Sequence, residues 1–416
     1  MDLPLNHNIP LIMHVDLNSC FATCEQQANP LYRGKPLVIA AYNSPAGCVV
    51  APSIEAKRYG IKTGMSVREA RLLYPLVNVH TPTPTLYRDI YTKFNKIFKD
   101  YSPDVTPKSI DEVVVNLTTV QKCNPDLLTV GNEIKKRIRE EIGEWMSCNI
   151  GIGTNRFLAK LGASLHKPDG LDVITHENLK AIYDSVSLTD LNGINVRFEA
   201  RLNAHGIFSP LDFLKAPVDL LEKEVFRSKC GRDWYYRIRG YEVDDVEWKT
   251  KSIGQQYALP KATNDPRMLS MLLMKLTEKM GRRLREKQVA ARGVHVSCVY
   301  ADWTHWHRGR LQDTEMFTTH ELFERAQLVF NQQPEKKRIS KLAVSCYDFT
   351  PSAKSQQSLF DINSTKKRMV ALAMDEINDR YGEFVITPAL MMGMDDLILD
   401  RIAFGGNVKE LKDIYN

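Results

Sequence analysis

The first 240 residues alternate short apolar runs with longer amphipathic stretches. Residues 11–15 (LIMHV) form an apolar run ending at Asp16, the pattern of a buried strand that opens directly onto a helix. A second run, Leu37 to Ala41, is followed by the turn-like YNSPAG and by Cys48 to Ala51, which predicts a small hairpin. After the Pro-broken segment HTPTPT, helical spacing runs from Leu86 to about Lys99. Residues 103–117 (PDVTPKSIDEVVVNL) predict two strands meeting at a tight corner around SIDE. A helix is expected near 124–142, then the strand SCNIGIG, with Thr154 as cap of the next helix. This alternation predicts an α/β (α+β) unit with a mixed sheet.

Residues 175–240 read as small helices and turns. Further on, the strand KSIGQQYAL leads to a helix with Asp265 as N-cap and Pro266 at the first position. The apolar stripe of that helix is Leu269, Leu272, Leu276, Met280 and Leu284. Val294, Val296, Cys298 and Tyr300 alternate with less apolar neighbours, HWHRGRLQ is a second strand, and Thr318-x-x-Glu321 is a capping box. Ile339 to Cys346 completes a β-α-β-β-α-β order.

Charge changes this picture. The net charge of the 416 residues is only +6, yet residues 251–360 hold 18 Lys or Arg against 10 Asp or Glu, a net +8. That segment has the electrostatic footprint expected for a polyanionic partner, and charge alone fits an ordinary well-solvated surface equally. The eight cysteines are scattered without a CxxC pair, which predicts buried free thiols in a reducing compartment. No signal-peptide pattern opens the chain and no apolar run approaches the ~20 residues of a membrane span, so a cytoplasmic protein without membrane association is expected.

Asp16 ends an apolar strand, and Asp111 and Glu112 are adjacent in a corner flanked by apolar residues. Carboxylates at the ends of neighbouring strands are costly unless a cation neutralises them. Two Mg²⁺ ions suit such a site, since each takes few protein carboxylates and leaves positions for phosphate oxygens. Strand-end acids also serve as ordinary turn caps, and spacing alone leaves both readings open.

The segment HVDLNSCFATCEQ resembles the opening motif of the Y-family DNA polymerases, and KSIDEVVVNLT resembles their second metal motif. GKPLVIA, GCVVAPSIEAKRYGIKTGM, GIGTNRFLAKLGASLHKPDG and LNGINVRFEARLNAHGI follow in the family's order. The resemblance spans roughly residues 10–210 and reaches about residue 361 through the basic segment. It implies a right-hand architecture: a palm (1–19 and 85–174), small fingers (20–84), a helical thumb (175–240), a linker (241–250), and a β-α-β-β-α-β little finger (251–361). Residues 362–416 form a tail with no assigned role.

By the same resemblance, Asp16, Asp111 and Glu112 are the catalytic carboxylates and hold two Mg²⁺ ions, with the Leu17 carbonyl as a further ligand. Phe21 is the steric gate that disfavours a ribose 2′-hydroxyl. Cys20, Phe21, Lys57 and Lys167 line the site of the incoming dNTP triphosphate. Ile54-Glu55-Ala56-Lys57 stands where many relatives have Tyr-Glu-Ala-Arg, and Asn18 where many have an acid. These variants resemble the polymerase V branch of the family, whereas KPDG resembles the polymerase IV branch.

LNGINVRFEARLNAHGI resembles a helix-hairpin-helix, whose turns present N–H groups to phosphate. Gly193 is present, but Asn195 takes the second glycine position, where its tolerance of left-handed geometry is expected to keep the turn. Arg292, His295, His307, Arg308 and Arg310 are candidates for a sequence-independent, salt-sensitive DNA face. Gln356, Ser358, Leu359 and Phe360, in the stretch QQSLF, resemble the peptide by which such enzymes dock on a sliding clamp. The implied activity is low-fidelity, template-directed extension of primer-template DNA by a monomer without proofreading. A non-catalytic adaptor that binds DNA and clamp, and a nucleotide cyclase with a similar palm, are the competing readings.

Overall fold

The computed structural model describes residues 3–123, 126–246, 249–351 and 362–398. The chain divides into two compact units, one ending at Glu247 and one running from Trp248 to Asp400. No described helix is long and apolar enough to cross a membrane.

The first unit opens with β1 (Ile12–Leu17), α1 (Cys20–Ala28), β2 (Leu37–Ala40), β3 (Val49–Pro52), α2 (Ile54–Arg58) and α3 (Val67–Leu73). It continues through β4 (Asn78–His80), α4 (Pro84–Lys99), β5 (Val105–Pro107), β6 (Glu112–Asn116), α5 (Leu127–Arg137), β7 (Cys148–Gly153), α6 (Arg156–Leu165) and β8 (Leu171–Val173). Four short helices end it: α7 (Leu179–Ser185), α8 (Val196–Asn203), α9 (Pro210–Lys215) and α10 (Lys229–Arg237).

Five strands form the main sheet in the order β5-β6-β1-β7-β8, with β1 antiparallel to both neighbours. Alternation along β1 separates two layers. Met13, Val15 and Leu17 join the core with Phe94 of α4 and Ile134 of α5, whereas Ile12 packs with Val114 and Ala159 of α6. Helix α6 lies unusually close to the sheet: a Cβ on Gly151 would fall 2.0 Å from the Ala159 carbonyl oxygen. Only glycine permits that approach.

A second sheet, β3-β2-β4, contains the expected hairpin plus a strand not foreseen, β4, parallel to β2. Helices α7–α10 close around Phe213, Phe226 and Trp234, which pack with Phe157 of α6. The cap of α6 departs from expectation. Asn155 accepts the Leu158 N–H at 2.8 Å, and Thr154 instead donates to the Gly240 carbonyl at 2.8 Å. The helix expected over 124–142 is α5 followed by a wider turn, Ile138–Ile142. Cys48 is exposed, contrary to the expectation that the thiols are buried.

The second unit contains β9 (Ser252–Thr263), α11 (Pro266–Glu286), β10 (Val289–Tyr300), β11 (His305–Met316), α12 (Thr319–Phe330), β12 (Ile339–Pro351) and α13 (Ile362–Tyr381). Both expected caps are present: Asp265 accepts from Arg267 N–H, and Thr318 and Glu321 form a reciprocal capping box. The sheet order is β11-β10-β12-β9, so the last strand lies between the first two. One face carries α11 and α12 over Val294, Val296, Leu342 and Val344. The tail helix α13 belongs to this unit, where Asp375 and Asp379 pair with Arg285 and Arg282 of α11 at 2.5 and 2.6 Å.

Candidate active site

Register brings the first two carboxylates together. Asp16, near the end of β1, is the direct cross-strand partner of Glu112, the first residue of β6. Directly opposed residues share a face, and this is the face covered by α6. Asp111 precedes Glu112 in the corner, where its carbonyl accepts the Leu17 N–H at 2.9 Å and its carboxylate accepts from the Ser109 hydroxyl at 2.5 Å.

Because α6 crosses close above this sheet end, its lysine and the one just beyond it reach the acids. Lys160 donates to both oxygens of Glu112 at 2.8 and 3.0 Å, and Lys167 donates to Asp16. The electrostatics follow from these ties. Burial holds the Asp16 and Asp111 carboxyls above the ordinary aspartate value, Lys167 and Ser109 respectively opposing it. Burial would raise Glu112 too, but the hydrogen bond and charge of Lys160 more than offset it and leave Glu112 below its ordinary value. His14, two residues before Asp16 on the same face, is buried and pushed down to about 4, so it is neutral.

A cleft of about 270 Å³ joins Asp16, Leu17, Cys20, Phe21, Lys57, Asp111, Glu112 and Lys167. All the carboxylate, gate and triphosphate candidates thus share one wall-to-wall site. Phe21 is held from behind by Tyr87, the two rings stacking at 4.6 Å, and the Tyr87 hydroxyl donates to Glu25 at 2.7 Å. Lys57 enters from α2, whose Ser53 cap accepts the Ala56 N–H at 3.2 Å. Desolvation in the cleft, and then the charge of Lys167, push its ammonium below the ordinary lysine value. Cys20 lies beside Cys24 at 3.9 Å between sulfurs, and that contact together with burial raises its thiol well above the usual range, so it lines the cleft as a neutral group. Ser19, at the turn from β1 into α1, has φ of 49°, a left-handed conformation at the mouth of the cleft.

The remaining candidates lie elsewhere. Gly193 has φ of 104°, as the turn requires. Asn195 is extended, with φ of −100°, and caps α8 by accepting the Arg197 and Phe198 N–H groups. This corrects the expectation of a left-handed asparagine: the residue is there for its side-chain acceptor.

In the second unit the basic strand residues do not share one face. Val294 pairs with Arg310 and Val296 with Arg308, so both arginines project on the helix side of edge strand β11. Arg310 accordingly donates to Gln332, just past α12. His295 and His307 occupy the opposite, open face, 3.2 Å apart between ring nitrogens. Tyr347 lies across the same face, so that a Cβ on Gly293 would meet its ring at 2.4 Å. Arg292 sits at a break in the β10–β11 register and pairs with Asp348 at 2.7 Å. Gln356, Ser358, Leu359 and Phe360 lie outside the described residues.

Sequence reasoning missed Lys160 and Tyr87. A signal for the first existed: Arg156 and Lys160 are spaced i, i+4, a polar stripe on a helix otherwise apolar at Phe157, Leu158 and Leu161.

Comparison with known proteins gives the family. The impB/mucB/samB family model matches residues 15–164, and the model of that family's C-terminal domain matches residues 250–359. DNA polymerase IV of Moorella thermoacetica is 33% identical over 92% of this chain and 96% of its own length. DNA polymerase IV of Pelotomaculum thermopropionicum is 29% identical over 96% and 98%. Among solved structures, a Y-family DNA polymerase chimera superposes with a TM-score of 0.70 at 22% identity, covering 81% of this chain and 98% of the other.

Proposed function

This chain belongs to the impB/mucB/samB family, the Y-family DNA polymerases of the translesion class, and on that premise we propose that it extends a primer 3′-hydroxyl at the Asp16–Asp111–Glu112 cleft. The observation that carries the reading is the convergence of the three carboxylates, Phe21, Lys57 and Lys167 on one cleft.

Three carboxylates and the neighbouring Leu17 carbonyl form an all-oxygen donor set, which fits a hard cation such as Mg²⁺. Among the described residues no three acid, His or Cys side chains are already gathered about one point; Lys160 holds Glu112 and Lys167 holds Asp16. Asp16, Asp111, Glu112 and Leu17 would hold the ions, which, when bound, supply charge stabilisation at the attacking and leaving oxygens.

The chain's own residues do the rest. Lys57 and Lys167, which both line the cleft, present two ammonium groups to a triphosphate as point charges. Phe21, backed by Tyr87, offers a fixed ring against the sugar; its rigidity is what lets it exclude a 2′-hydroxyl. The apposition of hydroxyl and α-phosphate for in-line attack accounts for the rate by positioning and electrostatics. The basic second unit supplies sequence-independent contacts to phosphate through Arg292, Arg308, Arg310 and the open face bearing His295 and His307. The Gly193 turn supplies another. Gln356, Ser358, Leu359 and Phe360 fit a clamp-docking peptide tethered between β12 and α13. The retention of all three carboxylates argues against a non-catalytic adaptor.

The test is primer extension on an undamaged template with Mg²⁺ and four dNTPs, beside an Asp111→Ala control. Extension by the parent that disappears in the control is the expected result; equal extension by both overturns the assignment.

A further inference from the structure

The tail helix α13 runs antiparallel to α11, as the pairing of Asp375 with Arg285 and of Asp379 with Arg282 requires. Between the two, and against the start of α12, a trough of about 430 Å³ stays open. Met274 and Pro388 line it toward one end, Lys366 and Lys367 toward the other, and Glu278 lies between. All of these residues belong to the second unit.

Glu278 is only 3% exposed, yet among the described residues no hydrogen bond reaches its carboxylate. Its ion-pair neighbour, Arg285, stands off at 3.8 Å. That guanidinium is held elsewhere: it donates to Asp375 at 2.5 and 2.9 Å and to the Thr319 hydroxyl at 3.1 Å. A buried carboxylate without a donor carries an unmet demand for N–H or O–H groups. This one borders the trough.

The other end suits the opposite charge. Thr318, Thr319 and His320, where α12 begins, line the trough there. The capping box takes up the N–H groups of Phe317, Thr318 and Glu321, which leaves those of Thr319 and His320 without an acceptor among the described residues. Lys366 and Lys367 are exposed on the same trough and make no ion pair with a described residue. Free N–H groups at a helix start, with two ammonium groups nearby, fit a phosphate. The walls joining the two ends are apolar, with Met274, Val370, Ala371 and Met374.

A guanine nucleotide meets all three demands. Its N1–H and exocyclic N2–H lie side by side and match the two oxygens of one carboxylate, and methionine sulfur packs well against an aromatic ring. Adenine instead sets a ring acceptor beside its one amino group, and that acceptor would face the carboxylate with like polarity. The volume falls within the roughly 300–1,000 Å³ of small-molecule sites.

We propose that this trough binds a guanine nucleoside phosphate, with Glu278 reading the base edge and the start of α12, Lys366 and Lys367 holding the phosphate. The site belongs to a different unit from the dNTP cleft and stands independently of primer extension. It gives the tail a role, since α13 supplies one wall and both lysines. A ligand held across α11, α12 and α13 also stabilises the second unit by mass action.

The experiment titrates the full chain calorimetrically with GDP, in EDTA and without DNA, beside inosine diphosphate, which lacks the exocyclic amine, and ADP. The parent should bind GDP most tightly, inosine diphosphate more weakly and ADP least. Glu278→Gln should lose roughly tenfold or more in GDP affinity, the scale of a charge-assisted hydrogen bond. Lys366→Ala with Lys367→Ala should weaken GDP while leaving guanosine unchanged. Ala371→Phe fills the trough from its α13 wall without touching Glu278; it should abolish binding while melting as the ligand-free parent does. If Glu278→Gln fails to fold, Ala371→Phe decides. No GDP binding by the parent at about millimolar concentration, equal affinity for GDP and ADP, or undiminished binding by Ala371→Phe overturns the proposal.

Discussion

The two units handle charge in opposite ways. In the first, three carboxylates sit at the ends of central strands, partly buried, and two are each tied to a lysine, Glu112 to Lys160 and Asp16 to Lys167. In the second, arginines and histidines stand along an edge strand and an open sheet face, mainly exposed, with few partners of their own sheet. A charge in low dielectric acts strongly over short distances, while one in water is screened within about 8–10 Å. The first arrangement therefore does localised chemistry, in which an atom displaced is an activity lost. The second provides a diffuse grip to which each residue adds a small, interchangeable share.

The largest expected effect breaks the first arrangement from within. Asp111→Asn and Glu112→Gln should each lower extension by roughly a thousandfold or more, the scale of several kcal/mol of charge stabilisation. Their stabilities should diverge. Asp111 has a raised carboxyl, so its charge is unfavourable in the folded state and the cost appears as pH rises through that raised value. Asp111→Asn should melt at or above the parent's temperature at neutral pH. Glu112 has a lowered carboxyl, so it contributes stability above the unfolded value that is lost on acidification. Glu112→Gln should melt below the parent at neutral pH, and the gap should close only below the ordinary glutamate value, as pH falls through the lowered folded one. Thermal melts across pH, run beside the extension assay, check both; equal shifts for the two variants would contradict the electrostatic account.

A smaller effect sharpens the contrast in the second unit. Arg308→Ala with Arg310→Ala should lower the salt dependence of DNA binding by about two units of log–log slope, one per phosphate contact. On saturating DNA, extension should stay within about threefold of the parent. Titration of binding against salt tells whether these helix-side arginines of β11 reach DNA at all. An unchanged slope would assign the grip to the open face of His295, His307 and Tyr347.

The smallest effect is structural. Thr318→Ala removes the acceptor for the Glu321 N–H and should cost about 1 kcal/mol of second-unit stability, read by chemical denaturation. DNA affinity below the transition should not change.

Much of this was legible without coordinates where the signal was local. The strand ending in Asp16, the corner holding Asp111 and Glu112, the Asp265 cap and the Thr318–Glu321 box are patterns within a few residues, and local geometry follows from them. Lys160 was not legible because its partner is 48 residues away, and their meeting depends on how closely α6 rests on β7. Asn195 was misread because its side chain, at a helix start, found two N–H groups to accept from before any left-handed turn was needed. The face of Arg308 was undecidable for a different reason. Side chains alternate along a strand, so a single-residue shift in pairing exchanges the two faces.

The sequence by itself determined the family, the order of elements and the residue types available for chemistry, since motif order and periodicity are properties of a line. Only the tertiary structure decided which lysine holds which carboxylate, and that β12 lies between β9 and β10. These depend on register and on the distance between layers. Both are set by packing among residues far apart in the chain, where Gly151 lets a helix approach and Asp16 finds Glu112 across a strand pair.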